Sequence, residues 1–79
     1  MRYRDQDATA SGGIRLEWVE RVVTQPTLTL PDAMDASLEH RLSVIEEHGS
    51  RALRVVVNRE VEPERVVTAY FDRSMKGRL

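Results

Sequence analysis

Apolar positions are scarce from Met1 to Ser11-Gly12-Gly13 and then recur in several runs with different spacings. The opening stretch offers little area to bury against the entropy of ordering, so residues 1–13 are predicted to form a flexible arm. From Ile14 the spacing becomes helical. Ile14, Trp18 and Val22 stand four apart, and Val19 and Val23 lie one position round the same stripe. Glu17 precedes Arg21 in the favourable order for an i,i+4 pair, and Glu17 and Glu20 suit a helix N-terminus. Pro26 disfavours helix at Gln25 and ends the element. Trp18, on the apolar stripe, is expected to anchor the core.

Thr27-Leu28-Thr29-Leu30 alternates, which predicts a short edge strand stopped by Pro31. Between Ala33 and His48 two periods compete. Met34, Leu38, Leu42 and Ile45 fall at helical spacing, with Asp32 placed as an N-cap and Gly49 as C′. The same stretch reads as a strand from Leu38 to Ile45, with Leu38, His40, Leu42 and Val44 on one face and a turn at Glu47-His48-Gly49-Ser50. Pattern alone slightly favours the helix.

Leu53-Arg54-Val55-Val56-Val57 and Arg65-Val66-Val67-Thr68-Ala69-Tyr70-Phe71-Asp72-Arg73 are β-rich and close together, so an antiparallel hairpin is expected. Leu53, Val55 and Val57 share one face of the first strand, and Ala52, Arg54 and Val56 the other. In the second, Val67, Ala69 and Phe71 oppose Val66, Thr68, Tyr70 and Asp72. The charged connection from Asn58 to Glu64, containing Pro63, is too long for a tight turn and is expected to be loose. These elements predict one small α+β domain over residues 14–79, an N-terminal helix packed on a three- to four-stranded antiparallel sheet.

The chain has 79 residues. A domain of that size buries only about 60–65% of the surface its unfolded chain exposes, so its stability is thin. With no cysteine there is no disulfide or thiolate site, and two histidines, His40 and His48, without an adjacent carboxylate motif are not a metal signature. No cofactor is expected. Self-association or a protein partner remains as added support.

Twelve basic residues against thirteen acidic ones give a net charge of −1, which argues against a chain that binds nucleic acid through overall charge. The distribution is uneven. Arg51, Arg54, Arg59, Arg65, Arg73, Lys76 and Arg78 make the last third basic, while Arg41 alone faces Asp32, Asp35, Glu39, Glu46 and Glu47 in the middle. Such halves attract a local anion or each other, the second being the simpler outcome. No apolar run approaches the ~20 residues of a membrane span, and Met1-Arg2-Tyr3-Arg4-Asp5 lacks the hydrophobic stretch of a secretory signal. A cytoplasmic protein without membrane contact is expected.

Ile14 to Val23 with Pro26, Leu38-Glu39-His40-Arg41-Leu42 through Glu47-His48-Gly49, Arg51 to Asn58, and Pro63 through Val66 to Arg73 together resemble a bacterial family known as domain of unknown function 4258. The resemblance runs from about Ile14 to the C-terminus and rests on distributed apolar, glycine and proline positions, so it speaks to fold more than to reaction. It implies helix on antiparallel sheet and decides residues 38–45 in favour of strand. That arrangement looks like the RelE- and BrnT-type toxins, ribonucleases that pair with an antitoxin. The resemblance therefore implies a toxin-like or toxin-derived domain with RNA binding or metal-independent ribonuclease activity, and an antitoxin as partner. Two positions depart from the family. Arg4 stands about where members carry a histidine, and Gly12 replaces an arginine. A degenerate first helix and an inactive copy are expected, with a bared sheet face that favours self-association.

A metal-independent ribonuclease needs a cationic, hydrogen-bonding surface to grip the scissile phosphate and stabilise its developing charge. On the strand reading, Arg41 and Ser43 share a face that Arg54, Thr68 and Tyr70 could join. The candidate phosphate- or RNA-binding set is Arg41, Arg54 and Tyr70, with Arg73 and Lys76 at the rim. Arginines would clamp oxygens and Tyr70 would stack on a base. No catalytic residue is assigned. The simpler account is a wet sheet face carrying these residues for solubility. His40 is expected to be packed or hydrogen-bonded, and His48 solvated in its turn. The alternative functional class is a non-catalytic protein-interaction module acting through an exposed sheet or helix face, with assembly dependent on Trp18 or Phe71.

Overall fold

The computed structural model describes residues 13–75 and 77–79. Residues 1–12 of the arm expected over 1–13, the departures at Arg4 and Gly12, and the rim residue Lys76 lie outside the described residues.

Helix α1 spans Leu16–Thr24. Trp18, Val19, Val22 and Val23 form its buried stripe, as the four-residue spacing predicts. The helix closes where Gln25 donates its backbone N–H to the Arg21 carbonyl and the Thr24 hydroxyl bonds the Glu20 carbonyl. Four strands follow: β1 (Leu28–Pro31), β2 (Leu38–Ile45), β3 (Arg51–Asn58) and β4 (Arg65–Phe71). They form one antiparallel sheet in the order β1-β2-β3-β4, giving the α+β architecture expected. Pro31 sits inside β1 rather than after it, as an edge strand permits.

The helical signals at Asp32 and Gly49 have other uses. Asp32 Oδ2 accepts the backbone N–H groups of Met34 and Asp35 at 3.0 and 2.9 Å, so its capping chemistry closes a turn before β2. Gly49 adopts φ 68° after the short 3-10 turn Glu46–His48, supplying the left-handed residue that the β2–β3 reversal needs.

Helix α1 lies on one face of the sheet. Its stripe and Ile14 meet Ile45 of β2, Leu53, Val55 and Val57 of β3, and Val66 and Ala69 of β4. One strand parity differs from the expected one. Val56 pairs with Thr68 and Val57 with Val66, so Val67 is an extra residue in a bulge. The bulge turns Val66 into the core beside Ala69 and leaves Val67 46% exposed. Simple alternation fails there because an inserted residue exchanges the two faces.

The expected Glu17–Arg21 pair is also replaced. Glu17 bonds Arg15, whereas both terminal nitrogens of Arg21 reach Glu47, at 3.1 and 2.8 Å. A two-point arginine–carboxylate contact outcompetes a single-point helix pair. This clamp holds Glu47 down to about 2 from its ordinary 4.5, foremost through the Arg21 hydrogen bond. A depressed carboxylate contributes stability that is present above its ordinary value and lost as pH falls through the folded value. Asp32, Glu64 and Asp72 are shifted the same way. Acid unfolding followed by far-UV circular dichroism is therefore expected to begin below about pH 4. Glu47→Gln is expected to weaken the fold at neutral pH and flatten its pH dependence between 4.5 and about 2. An unchanged slope in the variant would remove the clamp from the acid response.

Candidate functional site

Strand register decides which side chains meet. Arg54 stands opposite Leu42 on β2 and opposite Tyr70 on β4, and His40 stands opposite Val56. All of these share the face turned away from α1. A row of four polar side chains crosses it. His40 Nε2 lies 2.7 Å from Asp32 Oδ1, His40 Nδ1 lies 2.7 Å from Arg54 Nη1, and Arg54 Nε donates to Asp72 Oδ2 at 2.8 Å.

A guanidinium has only donors, so Nδ1 of His40 accepts from Arg54. Neutral His40 then carries its proton on Nε2 and donates it to Asp32. Both ends of the row are tied to backbone turns. Asp32 is bonded as described above, and Asp72 Oδ1 accepts the backbone N–H and the hydroxyl of Ser74. The His40 hydrogen bond is the main cause that holds Asp32 below the usual carboxylate range. For Asp72 the Ser74 hydroxyl comes first, with Arg54 adding to it.

This row is not a wet surface carrying cations for solubility. The Arg54 and Asp72 side chains are each only 14% exposed. Removing such groups from water is costly unless their partners are in place, and here each one is bonded. His40 is hydrogen-bonded, as expected, through both ring nitrogens.

Arg41 corrects the candidate set. It pairs with Val55, a core residue, and so lies on the α1 face, opposite to Arg54 and Tyr70. Because Arg54 faces Leu42, residue 41 must point the other way. There Arg41 bonds Glu39 at 2.7 Å, the Val23 carbonyl at 3.1 Å and both oxygens of Glu64 at 3.0 Å. It ties the end of α1 and the β3–β4 connection to β2. Ser43 is on that face too, with its hydroxyl 3.0 Å from that of Thr27.

At the end of β3 and β4 an open groove of ≈ 740 Å³ is lined by Gly49, Arg51, Ala52, Tyr70, Phe71, Asp72 and Arg73. Tyr70 is 43% exposed. Among the described residues, neither Arg51 nor Arg73 is ion-paired. The structure thus brings Tyr70 and Arg73 together and sets Arg54 beside Tyr70. It adds Arg51, which sequence reasoning omitted although it opens the basic last third of the chain. Asp32, His40 and Asp72 were also missed as a unit, since only strand pairing joins positions so far apart.

His48 is half-buried in its turn rather than free in solvent. Its ring stacks on Phe71 at a centroid distance of 4.7 Å and lies 5.2 Å from Trp18. Trp18 is 6% exposed, and Phe71 packs against the core. Trp18 is a core residue and not a surface position for assembly, whereas Phe71 is half-buried and also lines the groove. Among the described residues no cluster of His, Cys, Asp and Glu is placed to hold a metal ion, and no helix is long and apolar enough to cross a membrane.

Fold and site together define a small α+β domain with a bonded polar row on the sheet face away from its helix and a cationic groove at the end of β3 and β4. The family model described as Domain of unknown function (DUF4258) matches residues 6–71, and the chain belongs to that family. No curated protein and no solved structure matches the chain.

Proposed function

We propose that this chain is a toxin-derived domain of RelE/BrnT shape that binds single-stranded RNA in the groove beside Tyr70. One observation carries the reading. The exposed Tyr70 ring shares a groove with Arg51 and Arg73, two cations that no carboxylate neutralises among the described residues. A base stacked on an aromatic ring contributes about 1–3 kcal/mol, and arginine matches the geometry of phosphate oxygens. Binding is favoured over cleavage because His40 has both nitrogens engaged within the protein. Metal-independent cleavage would have to rest on Arg54 and Tyr70.

Fluorescence anisotropy with a short labelled single-stranded RNA tests this. Tyr70→Ala is expected to weaken binding by about 5- to 150-fold, the equivalent of one lost stack. Arg73→Ala is expected to reduce the salt slope by about 0.7, one phosphate contact on a single strand. RNA that binds wild type and Tyr70→Ala equally would sink the reading. Incubation with RNA in the presence of a chelator decides catalysis: cleavage abolished by Arg54→Ala would make the domain a ribonuclease. The interaction-module alternative draws on β4, an edge strand with Val67 half exposed, where a strand-adding partner such as an antitoxin would fit. A pure interaction module leaves RNA unbound.

A further inference from the structure

We infer that His40 is a proton-operated gate on Arg54: protonation of the ring releases Arg54 Nη1 and strengthens phosphodiester binding on the face beside Tyr70. The affinity part of this inference rests on the RNA-binding reading above, whereas the release of Arg54 does not.

The argument starts from two hydrogen bonds that share one ring. Neutral His40 accepts from Arg54 at Nδ1 and donates to Asp32 from Nε2, both at 2.7 Å. Adding a proton turns Nδ1 into a donor. Two donors and two like charges would then face each other at hydrogen-bonding distance, so one contact must open. Asp32 stays, because its bond to Nε2 becomes an ion pair and its other oxygen is held by the Met34 and Asp35 backbone. Arg54 keeps Asp72 through Nε while Nη1 loses its acceptor.

Charge changes in the same direction. With neutral His40 the row holds one cation against two carboxylates, and with the imidazolium it holds two against two. The row therefore loses its net negative charge at the moment the face gains a guanidinium donor. The groups that bear on His40 are Asp32 and, behind it, Asp35 from the β1–β2 turn, Arg54 from β3, and Asp72 and Tyr70 from the β4 side through Arg54. Glu39 and Arg41, its neighbours on β2, point to the α1 face and pair with each other.

Two measurements on the full chain test this. RNA affinity of wild type is expected to rise about tenfold from about pH 7.5 to about pH 5.5, the size of one added charge-assisted hydrogen bond. His40→Asn keeps an oxygen that can accept from Arg54 but cannot titrate, and is expected to bind as wild type does at pH 7.5 without the rise. His48→Gln is expected to retain it. A rise that survives His40→Asn, or vanishes in His48→Gln, overturns the inference. The second measurement needs no RNA and no variant. Nitrogen-15 NMR of wild type should show His40 protonated on Nε2 alone at high pH, and the Arg54 guanidinium signals should change together with the ring as it titrates. A ring that titrates while Arg54 stays unchanged overturns the gate. RNA that binds at neither pH overturns the RNA reading instead, and coupled NMR titration then supports the gate without it.

Discussion

Trp18→Ala is expected to remove about 3–5 kcal/mol of stability, the range for deleting a large aromatic side chain from a core. At ~0.05–0.15 kcal/mol per residue, a domain of this length holds only roughly 4–12 kcal/mol. The variant should therefore lose at least about a quarter of the domain's stability and unfold at a much lower denaturant concentration. The reason is positional. Trp18 is 6% exposed, meets Phe71 edge-on at 6.3 Å and lies 5.2 Å from His48, joining α1 to both the β2–β3 turn and the end of β4. Denaturant unfolding followed by far-UV circular dichroism checks it, since the chain has one tryptophan and its fluorescence disappears with the substitution. Trp18→Phe should recover much of the loss. A midpoint close to wild type for Trp18→Ala would show that α1 is not what holds the sheet.

Arg41→Ala is expected to cost on the order of 2–4 kcal/mol, below the ~3–5 kcal/mol of a fully buried pair because Glu64 remains partly in water. The Arg41 side chain is 12% exposed, against 37% for Glu64 and 19% for Glu39. Its removal leaves the poorly hydrated Glu39 carboxylate with only its contact to the exposed Arg59, and unties the Val23 carbonyl at the end of α1. The same variant, assayed under conditions where it is folded, is expected to bind RNA as wild type does, because Arg41 lies on the opposite face from Tyr70. Weakened RNA binding by folded Arg41→Ala would restore Arg41 to the phosphate-binding set. Unchanged stability would show that the clamp with Glu39 and Glu64 contributes little.

Much of the candidate site could be named from the chain but not assembled from it. Arg54, Tyr70 and Arg73 stand out as cations and an aromatic in a β-rich basic segment, and the structure sets them at one end of the sheet. Arg41 looked like their companion because alternation says only that residues two apart share a face. Which face of one strand matches which face of the next depends on register, and here a one-residue difference separates Arg41 from Arg54. The polar row was invisible for the same reason. Asp32, His40, Arg54 and Asp72 belong to different elements, and nothing in their local sequence shows that each would find its partner.

Local patterns in the sequence determined α1, the β3–β4 hairpin and the edge strand, because four-residue recurrence and two-residue alternation each bury one face at little conformational cost. They also determined where turns lie, since Asp32 and Gly49 bring their own backbone chemistry. Tertiary structure decided the rest. Residues 38–45 became strand against a helical spacing, with Leu42 and Ile45 each fully buried and on opposite faces, because an antiparallel place beside β3 satisfies a whole row of backbone groups. The bulge at Val67, the transfer of Arg21 from Glu17 to Glu47 and the bonding of His40 at both nitrogens were decided there too. Each depends on a partner many residues away, and only the packed chain brings those partners within hydrogen-bonding distance.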